Sequence, residues 1–394
     1  MNLKIVHVVS YFQPEFGYEE YFSAREQAAL GHDVHVITSD RIFPFKNVDK
    51  MLSDIGSPFK DRKRPVGTES LEGFTVHRLP TRFEVLFDLI NYRGVDEKLR
   101  EIRPEVVHAH GLWQWGSYVS AKTKEELSFR LIVDEHAYST TYDQSPTFRN
   151  FLLDKEYRLL RAPFARYVLK KADEVVAICQ ETVDFLNDLY NYPNSHFIPL
   201  GVDHRRFSFR KEARDRVRRE LGIDPDQYLL VTAGRLDKAK RIEHFIKGFQ
   251  QMGRKDARLV IVGQGDEDYL KRLKEMAGDG VRFLGFKKAD ELSDLYCAAD
   301  LGLWGKASIT IREAMGCGLP LVLFNEPNMK DLLKWGNGIY VEPTPEAVAE
   351  GVQKLLDDRK KREDMGKKGR KGVEESLSVE VESKALLKLY SSTS

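Results

Sequence analysis

Disulfide chemistry has almost nothing to work with in this chain. Three cysteines, Cys179, Cys297 and Cys317, are spread over 394 residues. Their number is odd and no metal-ligand spacing links them, which excludes a disulfide framework and points to a reducing compartment. No apolar run approaches the ~18 residues that would cross a bilayer. The opening "MNLKIVHVVSYF" lacks a basic stretch, a long apolar core and a cleavage site, so it reads as a strand and not as an export signal. Charge of one sign is also missing: 62 Lys and Arg face 61 Asp and Glu. With no strong net field, nucleic acid is not expected as a partner and recognition has to be local. The expected location is the cytoplasm. Repeats and low-complexity tracts are absent.

What the chain does have is rhythm. "LKIVHVV", "HDVHVIT", "GFTVHRL", "EVVHAH", "RLIVDEH" and "EVVAI" are strand-like, and most are separated by helical periodicity, as over Tyr18 to Leu30 and Asn150 to Lys171. After "IPLGVD", near residues 199 to 206, the pattern restarts with "YLLVTAG", "ARLVIVG", "VRFLGF", "DLGLW" and "LPLVLF". At 42% hydrophobic the chain can fill two cores. The expected class is therefore α/β, with two doubly wound parallel sheets. The domains are set at 1–203, joined by a final helix over 378–394, and 204–377. Ligands of such sheets bind beyond the carboxyl ends of the strands, so a cleft between the domains is the expected seat of function. Residues 40 to 72 break the rhythm and read as a long basic and aromatic loop, either solvated, near an acceptor, or touching anionic lipid at the inner membrane face. "KKREDMGKKGRKGVEESL" reads as a solvated helical face.

Several residues carry candidate chemistry. In "VTAGRLDKAKRIEHF", Gly234 ends a strand, Arg235 follows, and Lys240 opens the next helix, a cationic pair suited to a diphosphate. In "GLWGKASITIREAMGCGLPLVLFN" a helix with small residues at its start joins two buried strands. Ser308 or Thr310 is the expected cap and Gly318 the stop, the positive helix end favours an anion, and Glu313 lies one turn inside, able to accept from hydroxyl groups. "VIVGQGDED" keeps two of the three dinucleotide-turn glycines and reads as a tight turn with Asp266 as helix cap. Neither "DPD" at 224 to 226 nor "DED" at 266 to 268 is assigned a metal. His110 and His136 close two strands, placed to touch a substrate hydroxyl or a phosphate, while His108 lies deeper and packs.

"PEFGYEE", "LGHDVHVIT", "EVVHAHG", "IPLGVDHRRF", "TAGRLDKAKR", "FLGF" and "REAMGCGLPLV" occur in the order found in family 4 retaining glycosyltransferases (glycosyl transferases group 1), and nearly the whole chain resembles them. The resemblance implies a GT-B fold of two Rossmann-like domains, with the nucleotide sugar held by the second and most of the acceptor site by the first. It implies that Arg235 and Lys240 hold the donor diphosphate and that Glu313, the second glutamate of a Glu, seven residues, Glu motif, holds the ribose. His136 matches the histidine near the reacting sugar. Gly17 matches the first glycine of the N-terminal loop that meets donor phosphate, and Phe286 falls where the backbone meets the base. Amides over Ala307, Ser308 and Ile309 would complete the anion site. His110 and Tyr18 belong to the acceptor side.

Two positions depart from the family. Gly305 stands where the first glutamate would grip the sugar, and Tyr18 replaces the second loop glycine. Lys306 beside Gly305 would suit an acidic sugar. With the carboxylate gone, a Gly305→Glu replacement is expected to tighten a neutral hexose donor, if the loop has room for it. The expected activity is retaining, metal-independent hexosyl transfer from a UDP- or GDP-linked sugar, more than an ADP-linked one, to a glycan, lipid or small-molecule acceptor, with no cofactor. A nucleotide-sugar epimerase or a noncatalytic nucleotide-sugar binder are the alternatives.

Overall fold

The computed structural model describes residues 2–44, 48–54, 56–85, 89–136, 159, 161–326 and 329–392. They divide into two compact units: Met1–Leu200 with Val379–Ser394, and Gly201–Ser378.

The first unit is built on β1 (Lys4–Val8), β2 (Asp33–Ser39), β3 (Gly67–Leu71), β4 (Phe74–Leu79), β7 (Val106–His110), β8 (Arg130–Glu135), β9 (Glu174–Ala177) and β10 (His196–Phe197). They lie in the order β10-β9-β8-β7-β1-β2-β4-β3. All pairs are parallel except β3 with β4. Near-continuous apolar runs in β1, β7 and β8 follow from burial on both faces. The C-terminal helix Val379–Ser391 belongs to this unit and packs on the first long helix, Glu19–Ala29.

Residues 40 to 72 are not one long loop. They contain the helix Val48–Asp54 and the edge strand β3. Ile42, Val48 and Leu52 make a small core with Phe16. β3 reads "GTESL" and is mostly exposed, so it carries no apolar alternation by which to recognise it. Two of the basic residues are already committed. Arg64 is 2% exposed, pairs with Glu15 at 2.5 Å and lies over the Phe59 ring, and Arg62 pairs with Glu84. The hairpin of β5 (Thr81–Val85) and β6 (Leu89–Tyr92) is likewise absent from the sequence reading. Of the helix expected over Asn150 to Lys171, Ala162–Lys171 is helical, while 150–158 and 160 lie outside the described residues.

The second unit has β11 (Tyr228–Ala233), β12 (Ala257–Val262), β13 (Val281–Gly285), β14 (Leu301–Trp304), β15 (Leu321–Phe324) and β16 (Gly338–Val341), in the order β13-β12-β11-β14-β15-β16. Every pair in it is parallel. The charged helix Arg359–Ser376 is more than a wet face: Gly366, Gly369 and Gly372 form a buried stripe. A Cβ on Gly366 would lie 2.2 Å from the Gly318 carbonyl oxygen, so this helix needs glycine to reach the end of the Glu313 helix. Among the described residues no helix is long and apolar enough to cross a membrane.

Candidate functional site

In the second unit the site grows from the end of β11. Gly234 follows Ala233 at φ +132°, and a Cβ on Gly263 would fall 1.9 Å from the Gly234 carbonyl oxygen. Only glycine at 263 allows the ends of β11 and β12 to come so close. Gly234 keeps an open side: a Cβ built there would be 3.7 Å from each of Lys240 Nζ, Ser308 Oγ and Thr310 Oγ1. An ammonium from the Lys240 turn and two hydroxyls from the start of the Ile309–Gly316 helix therefore converge on one bare backbone position.

The helix Ile309–Gly316 runs between β14 and β15. Ser308 occupies its N-cap position, yet its side chain makes no cap hydrogen bond. It lies 2.9 Å from Thr310 Oγ1, which in turn lies 3.1 Å from the Ala233 carbonyl oxygen. The two hydroxyls anticipated as helix caps instead tie the helix start to β11 and leave its first amides to a ligand. Gly318, at φ +74°, closes the far end by donating to Met315.

Glu313 sits one turn in. Its Oε2 is buried without a hydrogen-bond partner, as is the hydroxyl of neighbouring Tyr296. Burial pushes the Glu313 carboxyl up to about 7, with Arg206 pulling the other way. Burial, and then Glu313, push the Tyr296 hydroxyl well above its ordinary value. A buried carboxylate with no internal partner is costly unless a ligand supplies donors. Lys240 is perturbed in the complementary sense. Burial, and after it the charges of Arg235 and Lys306, lower its pKa to about 8 against the pull of Asp237.

Other predicted donor residues are placed differently. Arg235 is 77% exposed and pairs with Asp237 at 2.8 Å. Phe286 is half-buried just after Gly285, and Ile309 is 41% exposed. Asp266 does cap its helix, accepting from the Tyr269 amide at 2.9 Å. Gly305 corrects an expectation. A Cβ there would lie 2.2 Å from the Lys240 carbonyl oxygen and 2.8 Å from the Phe324 ring. The Gly305 carbonyl meanwhile accepts from Arg241 at 3.4 Å. The segment after β14 and the Lys240 turn are in backbone contact, and a glutamate cannot be restored without parting them.

In the first unit Gly17 is left-handed at φ +68° and ends the short turn Pro14–Phe16, while Tyr18 is 42% exposed at the N-cap of the helix Glu19–Ala29. His136 follows β8, its Nε2 2.6 Å from Glu19 Oε1 and 3.5 Å from Asp134 Oδ1. Burial opposes its charge, but Glu19 and Asp134 outweigh that and raise its pKa well above the usual imidazole value. His110 is buried with Nδ1 2.5 Å from Asp134 Oδ2, and its pKa too is raised by that aspartate against the cost of burial. His108 is buried, as read from the sequence.

Sequence reasoning missed Glu19, Asp134, Tyr296 and Arg206. Glu19 and Asp134 sit on elements distant in sequence, and only the register of β7 with β8, which pairs His110 with Asp134, signals the second.

Comparison with known proteins identifies the family and the fold. The family model described as Glycosyltransferase Family 4 matches residues 23–206, and that described as Glycosyl transferases group 1 matches residues 213–372. An uncharacterized glycosyltransferase of Methanocaldococcus jannaschii is 30% identical over 231 residues, 55% of this chain and 59% of that protein. Alpha-monoglucosyldiacylglycerol synthase of Acholeplasma laidlawii is 24% identical over 81% of this chain and 79% of its own. Among solved structures, sucrose-phosphate synthase of Thermosynechococcus elongatus superposes with a TM-score of 0.74 at 17% identity, covering 98% of each chain. Anabaena HepE in complex with UDP-glucose gives 0.71 at 17% identity, covering 100% of each. At such identities the structural likeness shows the fold, and the two consecutive family models show the rest: the chain belongs to the family 4, group 1 glycosyltransferases and has their GT-B fold.

Proposed function

We propose that this glycosyltransferase moves a hexosyl group from a UDP- or GDP-linked sugar to a glycan, lipid or small-molecule acceptor, with retention at the anomeric carbon and without a metal. The observation that carries the reading is the convergence of Lys240 Nζ, Ser308 Oγ and Thr310 Oγ1 on Gly234, at the start of a helix that carries Glu313, whose Oε2 is buried without a hydrogen-bond partner among the described residues. Those groups match the two ends of a nucleoside diphosphate: cation, hydroxyls and amides for the phosphates, a carboxylate for the ribose hydroxyls. The names of two similar proteins, one a synthase of a glucosylated diacylglycerol and one bound to UDP-glucose, support a nucleotide-sugar donor and a lipid as one acceptor class.

In the reaction the bond from the anomeric carbon to the diphosphate oxygen breaks, and the acceptor oxygen bonds to the same face. The acceptor proton passes to the departing diphosphate, so no separate base is needed. Lys240, Arg235 and the amides over Ala307 to Ile309 stabilise the negative charge where it develops. His136 hydrogen-bonds near the reacting sugar. A peripheral contact with the inner membrane face would suit a lipid acceptor.

The test is incubation with a panel of UDP-, GDP- and ADP-sugars, with and without candidate acceptors, followed by mass spectrometry. Acceptor-dependent release of nucleoside diphosphate supports the reading. An isomerised donor formed without acceptor would indicate an epimerase, and binding without conversion a noncatalytic binder.

Glu313 supplies a further prediction. Ribose hydroxyls donate more strongly to its ionised form, which offers both oxygens as charged acceptors, so nucleoside diphosphate affinity should rise as pH increases through about 7, to which burial pushes the free carboxyl up. Glu313→Gln keeps the shape of the protonated side chain and should leave folding intact. It should weaken binding roughly ten- to hundredfold at pH 8, the equivalent of about 1.5 to 3 kcal/mol for a hydrogen bond to a charged group, and less at pH 6. Calorimetry at the two pH values decides it: equal affinity of parent and variant at pH 8 removes Glu313 from the site.

A further inference from the structure

A closed ring of contacts lies beneath His136, and the reaction above makes no use of it. His7 Nε2 is 2.9 Å from Gln27 Oε1, and His7 Nδ1 is 3.0 Å from His110 Nε2. His110 Nδ1 lies 2.5 Å and His108 Nε2 3.3 Å from the same Asp134 oxygen, Oδ2. The carboxylate meets both rings off the N–H direction, so these two links are electrostatic more than hydrogen-bonded. His108 Nδ1 is 2.7 Å from the Tyr390 hydroxyl, and Gln27 Nε2, 3.4 Å from that hydroxyl, closes the ring.

The partners dictate where the protons sit. The Gln27 carbonyl only accepts, so His7 carries its proton on Nε2 and accepts at Nδ1 from His110 Nε2–H. Tyr390 accepts from the Gln27 amide and donates to His108 Nδ1, which places the His108 proton on Nε2, toward Asp134. His110, with an acceptor at each nitrogen, holds two protons. The electrostatics agree: burial, then His110 and His108, depress His7, whereas Asp134 raises His110. Asp134 has one oxygen left. Its Oδ1 accepts from the Gly111 amide at 3.1 Å and faces His136 Nε2, the nitrogen that Glu19 also approaches, and here too the carboxylates lie off the N–H direction, so the links are ion pairs more than hydrogen bonds.

We propose that Asp134 and Glu19 are positioning residues that lock His136 as a doubly protonated imidazolium, a fixed positive charge and not a base, at the end of β8. Among the described residues, the charged groups around His136 are Glu19 and Glu20 from the helix Glu19–Ala29, Asp134 from β8 and His110 from β7, while the neighbouring Glu135 carboxylate is turned to the His136 backbone amide, from which it accepts at 2.9 Å. Glu19, Glu20 and Asp134 thus set three carboxyl groups against the two imidazoles. Glu20, raised to about 7 by burial and then by Glu19, is the one that can lose its charge near neutrality, leaving Asp134 and Glu19 opposite His110 and His136. Resting on the transferase reading, the consequence is that His136 donates to substrate without accepting the acceptor proton, consistent with the diphosphate taking it.

The test is long-range proton–nitrogen NMR of the full chain labelled at histidine nitrogen, titrated from pH 6 to 9, with the His136 signal assigned by its loss in His136→Gln. The parent should show both His136 nitrogens protonated at pH 7, with a midpoint well above the ordinary imidazole value. In Glu19→Gln and in Asp134→Asn the midpoint should fall by roughly one to three pH units, as for removal of a neighbouring opposite charge. The pH–rate profile of sugar transfer should gain a falling limb near neutrality in Glu19→Gln. A neutral His136 in the parent at pH 7, or an unmoved midpoint in Glu19→Gln, overturns the proposal. If Asp134→Asn fails to fold, Glu19→Gln decides alone, since Glu19 lies outside the ring. If the titration behaves as stated but no nucleotide sugar is turned over, the charge assignment stands and the functional reading falls.

Discussion

Replacing Lys240 by alanine is expected to lower turnover on the order of 100-fold, the loss typical of removing one group that stabilises developing anionic charge. Folding should survive, because Nζ faces the open side of Gly234 and is not spent on an internal ion pair among the described residues. Arg235→Ala should cost less, about tenfold, since its guanidinium is 77% exposed and already shares its charge with Asp237. Solvent screens an exposed charge more than a buried one. Steady-state kinetics on the two variants would expose an error if they suffered alike. Lys240→Arg should not restore the rate, because a planar fork does not fit a point-charge site. The pH profile carries the same signature. Anion binding favours protonated Lys240, whose free pKa is pushed down to about 8, so affinity should fall as pH rises past 8. Together with the rise through about 7 from Glu313, nucleotide affinity should peak between the two.

Gly305→Ala should weaken nucleoside diphosphate binding roughly ten- to hundredfold and lower the melting temperature. Inserting a methyl group where the Lys240 carbonyl oxygen would lie 2.2 Å away forces that backbone to move. Overpacking of this kind costs about 1 to 3 kcal/mol, and the segment displaced is the one that carries Nζ. The gap in the family's glutamate pair therefore cannot be filled by a single change. Gly305→Glu should bind nucleotide sugar no better than Gly305→Ala does. Calorimetry with a nucleoside diphosphate and its sugar conjugate, on the parent and both variants, is the measurement. A Gly305→Glu variant that gripped the conjugate more tightly than the parent would show that the loop yields, and that the close approach is not what keeps glycine there.

The alternation of short apolar runs with helical periodicity was enough to read two parallel α/β sheets, because strands buried on both faces must be apolar whatever they pack against. β3 and β5 escaped notice for the opposite reason: largely exposed strands are under no such demand, while β6, buried at Ile90 and Tyr92, is a run of only four residues. Motif spacing likewise pointed to Gly234, Lys240 and Glu313, since a helix start next to a strand end is a local feature that twenty residues can encode.

Three matters were decided by tertiary structure alone. Whether Gly305 could accept a side chain depended on the Lys240 carbonyl, 65 residues earlier in the chain. Which of two neighbouring cations is desolvated, Lys240 and not Arg235, depended on the fold, which brings the Gly305 segment against the Lys240 turn and leaves Arg235 77% exposed. The protonation of His136 depended on Glu19 and Asp134, brought from a helix start and a strand end more than 100 residues apart. Composition and spacing determine which elements form and which chemistry they carry. Distances of a few ångströms between remote segments determine charge and room, because Coulomb energy and steric overlap both change steeply over that range.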